Sequence, residues 1–317
     1  VIIGNYDFGS SPANPTAIPH EFYLWRDPDD PARILLYVST PVGPPAMQVL
    51  DISDPANIGV ATTFDPIDDA GLDEQRDGDA LLHSVSVTAD GRTGFVSYQS
   101  AGMLLIDTSD LADNRSDPQI RLLQPVDKRI DYAPPAATGT HSTVAIPGRP
   151  YAILTDEVYP APAFPGCPWG WMRIADYSDP DNPFIAGDYK VEENDPSVCT
   201  SAQGGPDLVT VTAHNTAATE NVALISWHSA GLEIVDVSDP RRPVRLLRFR
   251  PQPIPTVATE DQALSGNPVL IWSYPIIKDG VIYIVDVRNG LYILRYDGPF
   301  ADEINDAAFV EGNSNLR

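Results

Sequence analysis

The chain has 317 residues, with 20 basic against 44 acidic side chains and a formal net charge of −24. That balance argues against nucleic acid or an anionic membrane surface as a partner, since both need a basic footprint. No run approaches the roughly 18 apolar residues of a membrane span. A hydrophobic content of 43% is ordinary for a globular protein, and 32 prolines with 22 glycines suit turns and ordered loops better than helices.

In chain order, the first candidate strand is Val1–Phe8, and no basic segment with an apolar core accompanies it, which fits either a targeting peptide already removed or an excised piece of a longer chain. A marker then recurs: an apolar run, an Asp and a Ser-Asp turn. Its copies are Met47–Pro55, Met103–Asp110, Met172–Pro180 and Leu232–Pro240, with a degenerate fifth at Leu291–Gly298. Anchored on Asp51, Asp107, Asp176, Asp236 and Arg295, the intervals are 56, 69, 60 and 59 residues. A period of this size filled with short β-rich runs predicts an all-β repeat fold.

The fourth repeat shows the unit best. His214–Ala218, Val222–Trp227, Leu232–Val237 and Val244–Phe249 read as strands A to D, joined by the turn residues Thr219–Asn221 and Ser238–Pro240. Such lengths fit a four-stranded antiparallel blade. The last repeat offers A (Ser273–Ile277), B (Val281–Val285) and C (Leu291–Tyr296), but no good outer strand. Val1–Phe8 resembles the outer strand Phe184–Lys190 of the third repeat. The expected fold is therefore a single five-bladed β-propeller domain over 1–317, closed by the N-terminal strand. The competing reading is a propeller whose upstream blades precede Val1.

Cys167 and Cys199, the only cysteines, flank the last two strands of the third repeat. The expectation is a disulfide rather than two buried thiols, which favours an extracytoplasmic or secreted protein.

The segment Leu232–Pro240 is similar to the consensus of the LVIVD-repeat proteins, a bacterial β-propeller family. The resemblance extends through five copies and implies the fold. It implies little about activity.

All five histidines respect the repeat. His20, His83, His141 and His214 open strand A in successive copies, where the fifth copy has Ser273. Strand A is innermost in a blade, so these rings are expected at the mouth of the central channel. The ends of strand B lie beside them: Thr40, Gln99, Glu157, His228 and Val287. Four imidazoles in register predict one divalent transition metal, with iron preferred and copper, zinc or manganese as alternatives. A plug of hydrogen-bonded histidines is the competing reading. Glu157, and after it Glu21, are candidates to orient the rings through their second nitrogens. His228 is a candidate ligand, general base or rim residue; with Glu157 it forms the expected catalytic pair.

This four-histidine constellation is similar to the iron centre of carotenoid-cleavage oxygenases, which implies dioxygen chemistry by analogy of site alone. A six-coordinate ion with four neutral ligands keeps two open positions. A structural zinc usually closes at four ligands and often uses Cys. There is no Gly-rich phosphate loop, G-x-S-x-G elbow or H-E-x-x-H helix. Asp51, Asp107, Asp176 and Asp236 conform to the repeat and read as structural, and the Ser-Asp-Pro segments lack the alternating acids of a calcium loop.

Long connections at 111–140, 158–171 and 250–272 fall on the histidine face and read as lids or walls. Tyr98, Trp169, Trp171, Trp227, Trp272 and Tyr274, together with Tyr159 and Phe164, suggest an apolar or aromatic small molecule as substrate. The expected function is a monomeric, metal-dependent, dioxygen-using oxidoreductase. A metal-dependent hydrolase or lyase is the alternative within enzymes, and a binding or scaffold propeller with a structural ion is the alternative outside them.

Overall fold

A computed structural model describes residues 2–8, 18–41, 44–78, 80–131, 139–158, 169–195, 197–198, 211–257 and 268–316. Cys167, Cys199, Tyr159 and Phe164 lie outside the described residues. Five four-stranded antiparallel sheets form the blades of a five-bladed propeller. The first contains β1 (Phe22–Arg26), β2 (Ile34–Ser39), β3 (Met47–Asp51) and β4 (Gly59–Phe64). The second contains β5 (Ser84–Val87), β6 (Thr93–Ser97), β7 (Met103–Asp107) and β8 (Arg121–Leu122). The third is built from β9 (Thr140–Ala145), β10 (Tyr151–Asp156), β11 (Met172–Asp176) and β12 (Phe184–Tyr189). The fourth is built from β13 (Thr216–Ala218), β14 (Val222–Trp227), β15 (Gly231–Asp236) and β16 (Val244–Phe249). The fifth has β17 (Ile276–Lys278), β18 (Val281–Asp286), β19 (Gly290–Leu294) and β20 (Phe309–Val310).

The chain forms two compact units. One comprises Val1–Tyr132, Tyr177–Phe184 and Asn313–Leu316; the other comprises Ala133–Asp176, Ile185–Gly312 and Arg317. In the first unit, Trp25, Tyr37, Met47, Phe64, Leu82, Val96 and Leu104 join the first two sheets in one core. In the second unit, β14 shows why the repeat sequence is so continuously apolar. Side chains alternate across a strand, so Ala223, Ile225 and Trp227 enter the core against the third sheet while Val222 and Leu224 enter the core against the fifth. On β15, Leu232 and Ile234 take the second of those cores, and Val235 with the following Val237 takes the first. A strand buried on both faces must read as a near-unbroken apolar run. Each such Leu or Ile contributes about 1.5–3 kcal/mol on burial.

The repeat's polar residues serve its turns. Asp51, Asp107 and Asp236 each accept a hydrogen bond from the backbone N–H two residues on, at Ser53, Ser109 and Ser238 (2.8–2.9 Å). Asp54, Asp179 and Asp239 do the same to Ala56, Asp181 and Arg241 (3.0–3.1 Å). The Asp-x-Ser-Asp-Pro marker is thus two successive side-chain-closed turns. Fully buried Glu233 accepts from the Tyr189 hydroxyl (2.8 Å), from Arg245 Nε (3.0 Å) and from Arg248 Nε.

Closure by an N-terminal strand is corrected by the fifth sheet, whose strand order is β19-β18-β17-β20. Its fourth strand comes from the C-terminal side and pairs with β17 (Ile277↔Val310, Lys278↔Phe309), opposite the edge where an outer strand would add. The physical reason lies after β19, where the chain turns into a short helix, Ala301–Asn305, and buries Ile304 in the core against the fourth sheet. Residues 2–7 carry no strand. Their likeness to β12 has a different basis. The Tyr6 hydroxyl donates to Gln48 (3.1 Å) as Tyr189 donates to Glu233, the equivalent residue of the repeat. A Cβ on Gly4 would meet the Pro55 carbonyl at 1.7 Å, and one on Gly187 would meet the Pro240 carbonyl at 2.3 Å. Both segments pack alike against a strand C and its Ser-Asp-Pro turn.

Two glycines at the same turn position separate strain from contact. Gly231 (φ +100°) would place a Cβ 2.2 Å from the Phe249 carbonyl, whereas Gly290 (φ +93°) has nothing within 4 Å. Gly290→Ala should therefore cost about 1–2 kcal/mol from backbone strain alone, and Gly231→Ala clearly more, read as denaturant midpoints at unchanged slope. Equal losses would show that the close approach at Gly231 carries no weight.

Candidate metal centre

Four side chains of the second unit converge. His141 lies on β9, Glu157 follows β10, His214 precedes β13, and His228 follows β14. The strand ladders continue through them: Glu157 N–H donates to Gly139 O (2.8 Å) and His214 N–H to Ser226 O (2.9 Å). His228 sits in the left-handed region, at φ +35°. The segment Trp227–Gly231 repeats the turn Tyr98–Gly102, where Gln99 has φ +33°. The unusual backbone thus belongs to the turn type, which aims whichever side chain occupies its second position. All four groups are buried, with exposures of 2% for His141, 3% for His214, 0% for His228 and 6% for Glu157.

Glu157 is the hub. Its Oε1 lies 3.1 Å from His228 Nε2 and 3.4 Å from His214 Nε2, and its Oε2 lies 3.7 Å from His141 Nε2. The imidazole centroids of His141 and His214 are 4.1 Å apart, and those of His214 and His228 4.6 Å. One ligand atom from each of His141, Glu157 and His214 falls within 4.8 Å of the others. Two ligand atoms about 2.1 Å from one ion, at tetrahedral or octahedral angles, are roughly 3.0–3.4 Å apart. The Glu157 distances to His228 and His214 fall in this range and that to His141 lies just beyond it, so the group could hold an ion.

The proton inventory points the same way. His214 Nδ1 is 2.6 Å from the Trp272 carbonyl oxygen, and His228 Nδ1 is 3.3 Å from that of Ile271. A carbonyl can only accept, so both Nδ1 atoms carry hydrogen and donate. In the neutral ring Nε2 is then the lone-pair atom. These lone pairs face a carboxylate, itself acceptor-only when ionised. Such groups attract one another only through a proton or a cation set between them. Fixing the tautomer by an Nδ1–H to carbonyl bond is also how metal-binding histidines are held.

The residues singled out from sequence fall as follows. His141 and His214 meet in the second unit, joined by His228 and Glu157. In the first unit, His20 and His83 meet each other, with Nε2 atoms 2.7 Å apart and rings at 87°. That contact is a hydrogen bond through a single shared proton. Glu21 N–H donates to Ser39 Oγ (2.9 Å), whose hydroxyl reaches His83 O (2.8 Å). Glu157 was expected to orient rings through their second nitrogens; backbone carbonyls do that for His214 and His228, and Glu157 faces the Nε2 side instead. No residue type betrays a carbonyl, so sequence could not have named Ile271 and Trp272 for this task. Half-buried Trp272 also lies against both rings, at 4.7 Å each. Half-buried Tyr274 packs beside Gly312. Trp169 and Trp227 are fully buried in the core between the third and fourth sheets, and Trp171 stacks under Lys190 at 4.3 Å. Tyr98 is buried in the core of the first unit, and burial pushes its hydroxyl up to about 12.

An LVIVD repeat is present at residues 212–250, a span that contains His214, His228 and the whole fourth blade. A periplasmic gluconolactonase of Pseudomonas aeruginosa is similar in structure, with a TM-score of 0.53 at 12% identity, covering 92% of this chain and 70% of that one. The β-propeller domain of Cps50 (Swd1) from Myceliophteria thermophila is 10% identical over 88% of this chain and 71% of that one, with a TM-score of 0.49. The likeness to the gluconolactonase is one of fold. None of the curated proteins matches the sequence. The analogy with carotenoid-cleavage oxygenases gains no support, since the cluster in the second unit is three imidazoles and a carboxylate rather than four imidazoles.

Contact between Trp272 and two of the imidazoles makes it a reporter. Cu(II) or Co(II) added to metal-free protein should quench tryptophan fluorescence, and Trp272→Phe should remove most of that change while leaving metal uptake intact. Undiminished quenching in the variant would place the ion elsewhere.

Proposed function

We propose that the protein is a metal-dependent enzyme whose ion is held by His141, His214, His228 and Glu157, and that it is a dioxygen-using oxidoreductase acting on an apolar or aromatic small molecule. The observation that carries the reading is the pair of tautomer-fixed Nε2 lone pairs aimed at a buried carboxylate. Three imidazoles and one carboxylate suit Fe(II) first, and also Mn(II), Cu(II) or Zn(II). One carboxylate leaves a divalent ion with a single net positive charge. Six-coordination would leave two positions for dioxygen and substrate, the chemistry such an ion supplies when bound. Trp272 and Tyr274, both half-buried, are the aromatic wall this reading assigns to the substrate.

Depth of burial favours one other reading. With exposures of 0–6% and four protein ligands, the same groups would close a tetrahedral zinc as a structural ion. Metal analysis separates the two. Protein purified without added metal should carry one redox-active ion per chain and consume dioxygen with its substrate, whereas stoichiometric zinc and no turnover would support the structural ion. Glu157→Ala and His214→Ala should each lose the metal while the blades stay folded. Metal affinity should fall on acidification, because the imidazoles must be unprotonated and the carboxylate ionised to bind. Metal content unchanged in both variants would remove the proposal.

We further propose that Cys167 and Cys199 are bridged, which favours a protein outside the cytoplasm, and that it acts as a monomer. Thiol titration of denatured, unreduced protein should find no thiol; two would contradict the bridge.

A further inference from the structure

Two of the four proposed ligands stand on a local irregularity. In the β9–β10 ladder Thr155 pairs with Ser142 and Asp156 with Thr140, so His141 is the extra residue of a β-bulge, with no residue opposite it. Glu157 directly follows Asp156, the last residue of β10. Bulges re-aim side chains, but they also leave the ladder locally unpaired and soft. This one is clamped on both sides.

On one side lies a buried ion pair. Arg173, on β11, donates from Nε to Asp156 Oδ2 (2.7 Å) and from Nη2 to Asp156 Oδ1 (2.6 Å), and Nη2 also donates to Thr140 Oγ1 (3.0 Å). The Thr140 hydroxyl in turn donates to Asp156 Oδ1 (3.3 Å). Asp156 and Thr140 are fully buried, and burial, which Arg173 opposes, holds the Asp156 carboxyl above its usual range. On the other side Ser142 Oγ and Thr155 Oγ1 share a hydrogen bond (2.7 Å), and both lie within hydrogen-bond reach of the backbone carbonyl of His214, to which the hydroxyl left free donates. The clamp therefore reaches a third ligand through its main chain.

We infer that Arg173, Asp156 and Thr140 form a positioning set that fixes the bulge, and through it the places of His141 and Glu157 at the metal centre. Each of the two ligands is the direct sequence neighbour of a clamp residue. A buried ion pair is a poor way to gain stability, since apolar residues of similar volume often serve as well or better. A forked guanidinium gripping both a carboxylate and a hydroxyl is a good way to fix geometry. The next repeat supplies the contrast. Its residue equivalent to Arg173 is Glu233, paired with Tyr189, Arg245 and Arg248.

The inference rests on the metal reading, and Co(II) titration of metal-free protein, followed by visible absorption, tests the two separately. Arg173→Lys keeps the charge and loses the fork; it should weaken Co(II) binding by about tenfold to a hundredfold, the usual effect of removing a group that supports a ligand, and should move the ligand-field bands. Thr140→Val should act in the same direction and covers the case in which the arginine variant fails to fold. Arg248→Lys breaks the other buried network; it should lower thermal stability but leave affinity and bands as in the wild type. Wild-type affinity and bands in Arg173→Lys and Thr140→Val would overturn the positioning role alone. Equal weakening in Arg248→Lys would reduce it to general stability and overturn it as well. A wild-type protein that binds no Co(II) would remove the metal reading, and this role with it.

Discussion

Glu157 sets the terms for everything around it. A carboxylate taken out of water is costly unless it is paired and hydrogen-bonded, and this one is aimed at three imidazole nitrogens. With the hydrogens of His214 and His228 donated to backbone carbonyls, their Nε2 lone pairs face Glu157, an arrangement that could hold a cation. A proton on one ring would neutralise the carboxylate but leave the other lone pairs facing acceptors. A divalent ion, as proposed, would answer this arrangement.

The blade architecture explains how such a cluster is built without a dedicated loop. Starts of strand A and ends of strand B recur at fixed places in the repeat, so in the second unit a histidine or carboxylate at one of them comes beside its counterpart in the next blade. His141 and Glu157 come from the third blade and His214 and His228 from the fourth. The segment Val269–Trp272 belongs to the approach to the fifth blade. It bonds through Ile271 N–H to His228 O (3.2 Å), and Asp286 accepts from Leu270 N–H (3.1 Å). That segment supplies the two carbonyls that set the tautomers. His141 lies on β9 and the other three sit at the ends of doubly buried strands or in the turn that follows one, and the His141 bulge has the Arg173–Asp156–Thr140 network beside it.

Periodicity made much of this legible in advance. The strand C marker located the blades because a doubly buried strand has to be apolar throughout, and counting from it placed His141 and His214 at strand A and Glu157 and His228 at the ends of strand B. What periodicity could not carry lies in the parts that break it. β20 adds at the inner edge of the fifth sheet, beside β17, and after β19 the chain turns into a helix because Ile304 finds a core there, a tertiary gain invisible in the strand pattern. The tautomer-fixing carbonyls have no residue signature. Glu157 was expected on the far side of the rings because carboxylates commonly orient histidines, whereas here the main chain took that role. Trp169 and Trp227 looked like binding walls from their loop and strand-end positions, and the core between the third and fourth sheets buries both.

The central claim concerns what lies between Glu157 and the three imidazoles, and anomalous diffraction reads that space directly. Crystals of protein carrying its native metal, measured on either side of that metal's absorption edge, should show one difference peak about 2.0–2.2 Å from the Nε2 atoms of His141, His214 and His228 and from a Glu157 carboxylate oxygen. Well-ordered side chains in this arrangement with no anomalous peak among them would contradict the account and leave a protonated histidine cluster in its place.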